Sequence, residues 1–564
     1  MPDIYQFVKY NADTEPDHIK KYSRYGSVIC FDLEDSIFNW IDPRHNKQLK
    51  ENARRTLGLL LPDIQTRYPE IKIAIRINDL NSDYFSDDIH FLATLNSIHT
   101  IIIPKVESAT DLISVKKYFD DFQLKYNEII PLIESKNGLI NLPDILKTVT
   151  GFSKIGFGHC DYNLDIQAFP FFHQDTVEHW KWVEHIIGTL KPFGIKYLNS
   201  VHLDLENSDF FRSILAHLNY LTDGNFGQCT LTTKQTELCY VFDNVKLPIE
   251  GLAKNRLDFS IETHQLTEFV SHFENLNAGK AFTIDPENRS LFSPQEYQSA
   301  KQHLIRRKQK DVFFTFVGGC FPVQADILVE DTFHYQLKKD IETKYGVNFN
   351  VNIIRYERFF NCLEKIKDYH DRHKIDYLVF HIRPEPCLRL IKFYYKYMNQ
   401  ENKPAWSFNI PFLNFINPEK YDLLALSRRY NYTQGKPKTL IKKTLINLNY
   451  LAGYLIGNKT YALKSYLKLV ESIIDYCQAN DIKLVILGNG YRQETIFEKK
   501  LSGILNHFMS EALQATPVRY LFGLDESTTV DKVLFCKNGI HATKEYHQVI
   551  EQRLFSYFET EFDS

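Results

Sequence analysis

Residues 128–161 read EIIPLIESKNGLINLPDILKTVTGFSKIGFGHCD, an apolar run ending in an acid, then a helix-length stretch, then a second apolar run ending in an acid. Glu134 and Asp161 stand 27 residues apart, and Glu107 precedes Glu134 by the same interval. That interval equals about one βα unit, so the three acids fall at equivalent ends of successive strands. Working outward, similar runs occur at 4–10, 27–33, 71–77, 99–105, 128–133, 154–158, 195–203 and 228–232. Amphipathic patterns such as NARRTLGLLLPDIQ and DTVEHWKWVEHIIGTL separate them. Eight buried strands alternating with helices predict an α/β fold, a (β/α)8 TIM barrel rather than an open doubly wound sheet.

The barrel is expected over 1–240, followed over 241–310 by an extension that reads as a hairpin or loop and then a polar helix capped by Ser293. From VFFTFVGGC onward a second alternation begins, through VNFNVNIIRY, IDYLVFHIRP and IKLVILGNG. It predicts a separate three-layer α/β domain over 311–564, of SGNH or flavodoxin-like type.

A chain of 564 residues with 44% apolar and 24% charged residues is that of a folded protein with several cores. The net charge of −3 and the even spread of Lys and Arg speak against a nucleic-acid partner. The basic run KPKTLIKK at 436–443 reads as a solvated face. Nine cysteines without CxxC pairing speak against a disulfide framework or a structural zinc site and for a reducing, cytoplasmic setting. No run approaches the ~18–20 apolar residues of a membrane span.

In a barrel of this kind the chemistry sits at the C-terminal strand ends. There the sequence offers Asp32, Glu34 and Asp35 in FDLEDS, Arg76 in RIN, Lys105 and Glu107 in PKVES, then Glu134 and Asp161. Glu134 and Asp161 suit a hard divalent cation, which takes one or two carboxylates and leaves other positions to water and substrate. Arg76 offers a planar fork for a substrate carboxylate, or an ion pair with the FDLEDS acids; the two uses are compatible. Lys105 and Glu107, two residues apart on an extended segment, share a face and are expected to pair. With Asp161 on the pocket face, alternation turns Cys160 toward the core, and His159 stays open between mouth and loop.

These segments, FDLEDS, RIN, IPKVES, LIES with NGLINL, and GFGHCDY, in that order and spacing, resemble the HpcH/HpaI aldolase and citrate lyase beta-subunit family. The likeness continues through GNFGQCTLTTKQ and GKAFTID, to about residue 305. It implies a TIM barrel that makes or breaks a carbon–carbon bond next to a carboxylate or thioester with Mg2+, or with Mn2+ in its stead. By resemblance Glu134 and Asp161 are the metal ligands, Arg76 grips the substrate, and Asp285 is the acid supplied from beyond the barrel, in relatives often by a neighbouring subunit. Glu34, Asp35, Lys105 and Glu107 complete the expected substrate-binding set. The partners implied are a small carboxylate or acyl thioester and further copies of the chain, a trimer by resemblance, with no nucleic acid and no membrane. Where the family carries Gly-Lys-x-x-Ile-His-Pro-x-Gln, this chain has GQCTLTTKQ, keeping Gly227 and Gln235 but losing Lys, His and Pro. That departure leaves the thioester open.

In the second half, FVGGCF and NGIHATKEYH resemble altered SGNH hydrolase blocks. The resemblance gives Cys320 as nucleophile, His541 as base and Asn538 as its orienting partner, a set suited to acyl transfer or hydrolysis. Two other readings compete with the lyase: the C-terminal domain as the main esterase or acyltransferase, and a non-catalytic binding protein with a vestigial barrel.

Overall fold

A computed structural model describes residues 2–277, 283–285, 290–307, 310–319, 321–323, 327–356, 362–398, 404–408, 440–490, 495–522, 534 and 542–563. The chain divides into two compact units, Met1–Arg256 with Ile261–Arg306, and Leu257–Ser260 with Arg307–Ser564.

The first unit is a closed barrel of eight parallel strands in sequential order. They are β1 (Asp3–Phe7), β2 (Val28–Asp32), β3 (Ile73–Arg76), β4 (Ile98–Ile103), β5 (Tyr126–Ile133), β6 (Lys154–Phe157), β7 (Lys196–Asn199) and β8 (Phe226–Thr230). The eighth closes on the first through Asp3 opposite Gly227 and Tyr5 opposite Cys229. The apolar runs are nearly continuous because a parallel strand here is covered on both faces, by the barrel interior and by the outer helices. Tyr5, Val28, Cys30, Ala74, Ile102, Ile130, Leu198 and Cys229 fill the interior. β6 contributes Gly156 to the packing, where a Cβ would come within 2.4 Å of Leu132. Helices start where side chains accept the first free N–H groups, as with Ser108 and Asp111 in a reciprocal capping box and Ser135 over Gly138.

Beyond the barrel, residues 241–306 hold more structure than a hairpin and one helix. Helices Thr263–Asn277 and Pro294–Arg306 pack together through Ile261, Leu266, Phe273, Tyr297 and Ala300, with Phe273 stacked on Tyr297 at 4.3 Å. Between them β9 (Thr283–Ile284) pairs antiparallel with β10 (Leu291–Phe292). Ser293 caps the second helix through the Glu296 N–H at 3.4 Å. The extension is pinned to the barrel loops by the Leu291 N–H on the Leu203 carbonyl and an antiparallel bridge between Asp204 and Ser290.

The second unit is a five-stranded parallel sheet of β11 (Asp311–Gly318), β12 (Asn348–Arg355), β13 (Tyr377–His381), β16 (Lys483–Leu487) and β17 (Arg519–Leu521). Their spatial order is β12-β11-β13-β16-β17, a doubly wound arrangement. A separate hairpin joins β14 (Tyr394–Met398) to β15 (Pro404–Phe408). Leu257–Ser260 adds to the β12 edge, with the Phe259 N–H on the Val351 carbonyl at 2.8 Å. The first half of the basic run at 436–443 lies outside the described residues. Among the described residues no helix is long and apolar enough to cross a membrane.

Candidate active site

Asp32 ends β2 and Arg76 ends the neighbouring β3, directly opposite one another in register. Their side chains meet as a two-pronged pair, Nε to Oδ1 at 2.8 Å and Nη2 to Oδ2 at 2.6 Å. The remaining guanidinium nitrogen, Nη1, lies 2.9 Å from Glu34 and 3.9 Å from Asp35. Asp32 also accepts the Glu34 and Ser36 N–H groups, each at 2.9 Å, which folds the chain after β2 back over the barrel. Burial pushes the Asp32 pKa up, but Arg76 and these N–H donors outweigh it and hold the carboxyl below the usual range. Both readings of Arg76 thus start from the same fact: its fork is held by Asp32. Lys50, near the start of the helix Asn46–Arg67, buries its ammonium on the Leu33 and Glu34 carbonyls and on Asn78 Oδ1 at 2.6–2.7 Å.

Lys105 follows β4 with φ of +52°, a left-handed conformation that breaks the expected alternation. Its ammonium lies 3.1 Å from Glu34 and 3.6 Å from Asp161, so the expected Lys105–Glu107 pair does not form. Glu107 instead sits at the start of the next helix, its N–H on Asp111 and its carbonyl on the Asn141 side chain. Of the 27-residue series, only Glu134 and Asp161 reach the mouth together.

Glu134 accepts the Lys105 N–H at 2.9 Å and lies against Gly158, where a Cβ would come within 2.0 Å of Oε1. The glycine of GFG therefore makes room for a carboxylate. The segment after β6 is a helix, His159–Asp165, rather than an extended strand end. Side chains there advance by a helical step, and Cys160 does not turn back into the core. It is half-buried beside Asp161, its thiol hydrogen-bonded to Ser293 and its pKa pushed up by burial.

Burial raises the pKa of Glu134, Asp161 and Asp35, and mutual repulsion with Glu34 adds to it. Five carboxyl groups, those of Asp32, Glu34, Asp35, Glu134 and Asp161, face the two cations Arg76 and Lys105. The mouth is short of positive charge. No three His, Cys, Asp or Glu side chains form a closed metal cage among the described residues.

Sequence reasoning missed Gln295. Its side-chain amide donates to Asp35 at 2.7 Å and to Asp161 at 3.0 Å, while its oxygen accepts from Ser293 at 2.9 Å. A glutamine in the first turn of a polar helix carries no signal of this; only docking of the extension on the barrel makes the contact. Gln235, kept from the family pattern, braces the chain after β8 by joining the Leu231 N–H to the His202 carbonyl.

Beside the acids lies a cavity of about 410 Å³ whose wall includes His159, His173, His202, Asp285 and Glu296. His159 is buried, with Ser200 Oγ on Nδ1 at 2.9 Å and His173 on Nε2 at 3.2 Å. Asp285, the acid expected from beyond the barrel, lines this cavity within its own chain, 4.0 Å from His272. Behind the wall His179 is fully buried among Phe157, Trp180 and Trp182, and neither ring nitrogen has a hydrogen-bond partner among the described residues. Burial and the neighbouring histidines push its pKa down to about 3. A histidine lowered in the fold takes up fewer protons than in the unfolded chain, so stability falls as pH drops from about 6.5 toward 4, by up to ~1.4 kcal/mol per unit. Urea midpoints at stepped pH should fall less steeply in His179→Phe than in the parent chain; parallel curves would show that His179 is not held neutral.

Residues 6–221 match the family model described as HpcH/HpaI aldolase/citrate lyase. Over those residues the barrel is similar to that family. A relative from Deinococcus radiodurans, a citrate lyase subunit beta-like protein, is 24% identical over 166 residues, 29% of this chain. The alignment covers 55% of that relative, so the chain spans about half its length. RipC from Yersinia pestis is a similar solved structure, at 19% identity and a TM-score of 0.33, over 44% of this chain and 97% of that one. The citrate lyase beta subunit of M. tuberculosis, solved with oxaloacetate and magnesium, shares 20% identity at a TM-score of 0.32, over 42% of this chain and 95% of that one. The barrel carries Asp32, Glu34, Asp35, Glu134 and Asp161 at the mouth expected from the sequence, while Glu107 turns into the next helix. In the second unit Cys320, Asn538 and His541 lie outside the described residues.

Proposed function

We propose that the barrel is a divalent-cation-dependent carbon–carbon lyase or aldolase, acting through the enolate of an oxo acid or acyl-thioester substrate. The observation that carries this reading is the buried excess of carboxylates at the mouth, with Glu134 and Asp161 both raised by burial and repulsion. Such a pair fits a hard cation, which supplies the missing charge and takes the rest of its ligands from water and substrate. Glu134 and Asp161 would hold Mg2+, or Mn2+ in its place. When bound, the ion acts as a Lewis acid toward the oxygen on which enolate charge develops.

The protein's own groups do the rest. Asp32 fixes the Arg76 plane, so Nη1 stays beside Glu34 as a preorganised positive edge near the developing charge. Lys105 is the more accessible cation, its side chain 36% exposed against 13% for Arg76, and is the better placed to meet a substrate carboxylate. Glu34 and Asp35 hold these two cations in position. Asp285 is the candidate proton acceptor for the substrate hydroxyl, from the wall of the adjoining cavity.

The test is titration calorimetry of Mg2+ into the full chain, together with a panel of 3-hydroxy acids and their thioesters assayed for release of pyruvate, oxaloacetate or acetyl products. One ion per barrel is expected, with binding weakened at least about tenfold in Asp161→Asn and product release abolished by a chelator. Mg2+ binding that is unchanged in both Asp161→Asn and Glu134→Gln removes the basis of the reading.

A further inference from the structure

The extension reaches the acid cluster through an uncharged group, Gln295, which is 2% exposed. Carboxylates only accept hydrogen bonds, so the amide turns its nitrogen to them, with Asp35 Oδ2 at 2.7 Å and Asp161 Oδ2 at 3.0 Å. That nitrogen carries two protons, one for each acid. The amide is fixed in this sense because its oxygen accepts the hydroxyl of the fully buried Ser293 at 2.9 Å. The helix that bears Gln295, Pro294–Arg306, is also fastened away from the acids, by Ser299 Oγ on the Ala168 carbonyl at 2.5 Å.

Glu134 is engaged in the same manner, its Oε2 accepting the Lys105 backbone N–H at 2.9 Å. Each of the paired acids therefore has one oxygen held by an uncharged N–H donor. The other oxygens turn elsewhere, Asp161 Oδ1 to 3.6 Å from the Lys105 ammonium and Glu134 Oε1 over Gly158. This asymmetry bears on which cation suits the pair. Ca2+ takes about six to eight oxygens and readily grips a carboxylate by both, whereas the smaller Mg2+ demands a near-octahedral shell and keeps several waters beside one or two carboxylates. A cation gripping Asp161 by both oxygens would sit beside the positive ends of the Gln295 N–H dipoles. A lysine or arginine in place of Gln295 would cancel the charge that a cation needs; the amide holds the acid without cancelling it.

We propose that Gln295 is a positioning residue that leaves Asp161 a single oxygen for the cation and so makes the site select Mg2+ over Ca2+. The inference rests on the lyase reading, since it takes Glu134 and Asp161 as the metal ligands. It gives the extension a task at the mouth: a helix from beyond the barrel decides how an acid at the end of β6 is used.

The test is calorimetric titration of Mg2+ and of Ca2+, separately, into the full chain and three variants. The parent chain is expected to bind Mg2+ the more tightly. Gln295→Met keeps the length of the side chain but has no N–H, and should shift the ratio of the two affinities about tenfold toward Ca2+. Gln295→Glu keeps the shape, removes the donor and adds a carboxylate oxygen, so it should shift the ratio the same way and serves if Gln295→Met does not fold. Ser299→Ala loosens the same helix away from the acids and should leave the ratio unmoved, which separates positioning from mere docking. A parent chain that prefers Ca2+, a ratio unchanged in the Gln295 variants, or an equal shift in Ser299→Ala overturns this proposal and leaves the lyase reading standing. Mg2+ binding indifferent to both Asp161→Asn and Glu134→Gln overturns the lyase reading, and this one with it.

Discussion

In Glu134→Gln, Mg2+-dependent turnover should fall about 10²–10³-fold while the metal-free protein becomes more stable, melting a few degrees higher. The two effects share one cause. Glu134 is buried against Gly158 and repelled by Asp161 and Glu34, so its ionised form is disfavoured in the fold and its pKa is raised. A carboxyl raised in the fold does no harm at acid pH, where it is protonated in both states, and costs stability increasingly as pH rises above the usual carboxylate range. The melting gain of Glu134→Gln should therefore be larger at pH about 8 than near 5. Glutamine keeps an oxygen for the Lys105 N–H, so the local hydrogen bond survives. A residue that weakens the empty fold and supports turnover behaves as a functional ligand, in line with the trade between stability and activity. A variant that melts lower and turns over normally would make Glu134 a brace for the β4 loop instead.

Asp32→Ala should cost about 3–5 kcal/mol in urea unfolding, the largest loss expected of any single change at the mouth. Arg76 would keep Glu34 but lose its two-pronged partner, and two N–H groups after β2 would lose their acceptor. A buried guanidinium stripped of its main partner is far more costly than a pair never made. Glu34 and Asp35, which rely on that turn, would move with it, so activity should fall as well. A loss below about 1 kcal/mol would mean that Glu34 alone balances Arg76.

The barrel was legible because its signal is local and redundant. Eight strands covered on both faces produce eight near-continuous apolar runs, and polar residues accumulate at one end of each. The register that sets Asp32 opposite Arg76 follows from neighbouring strands alone. The acids Glu134 and Asp161 were legible for the same reason, since one βα unit separates them.

What failed was side-chain direction once the regular period ended. Lys105 and Glu107 were expected on one face, but a left-handed residue at Lys105 sends its ammonium toward Glu34. Cys160 was expected to point into the core, but the chain enters a helix at His159 and the alternation of a strand no longer applies. Backbone turns of one residue leave little trace in hydropathy, yet they decide which groups meet.

The sequence by itself determined the closed barrel, the C-terminal ends of its strands as the working face, and the paired acids there, because each depends on neighbours in the chain. Only the tertiary structure decided that Gln295 reaches Asp35 and Asp161 across 260 and 134 residues, and that Asp285, Gln174 and His202 share one cavity. Contacts made across that much chain arise when the extension packs on the barrel. They follow from shape and burial, which no local pattern of residues encodes.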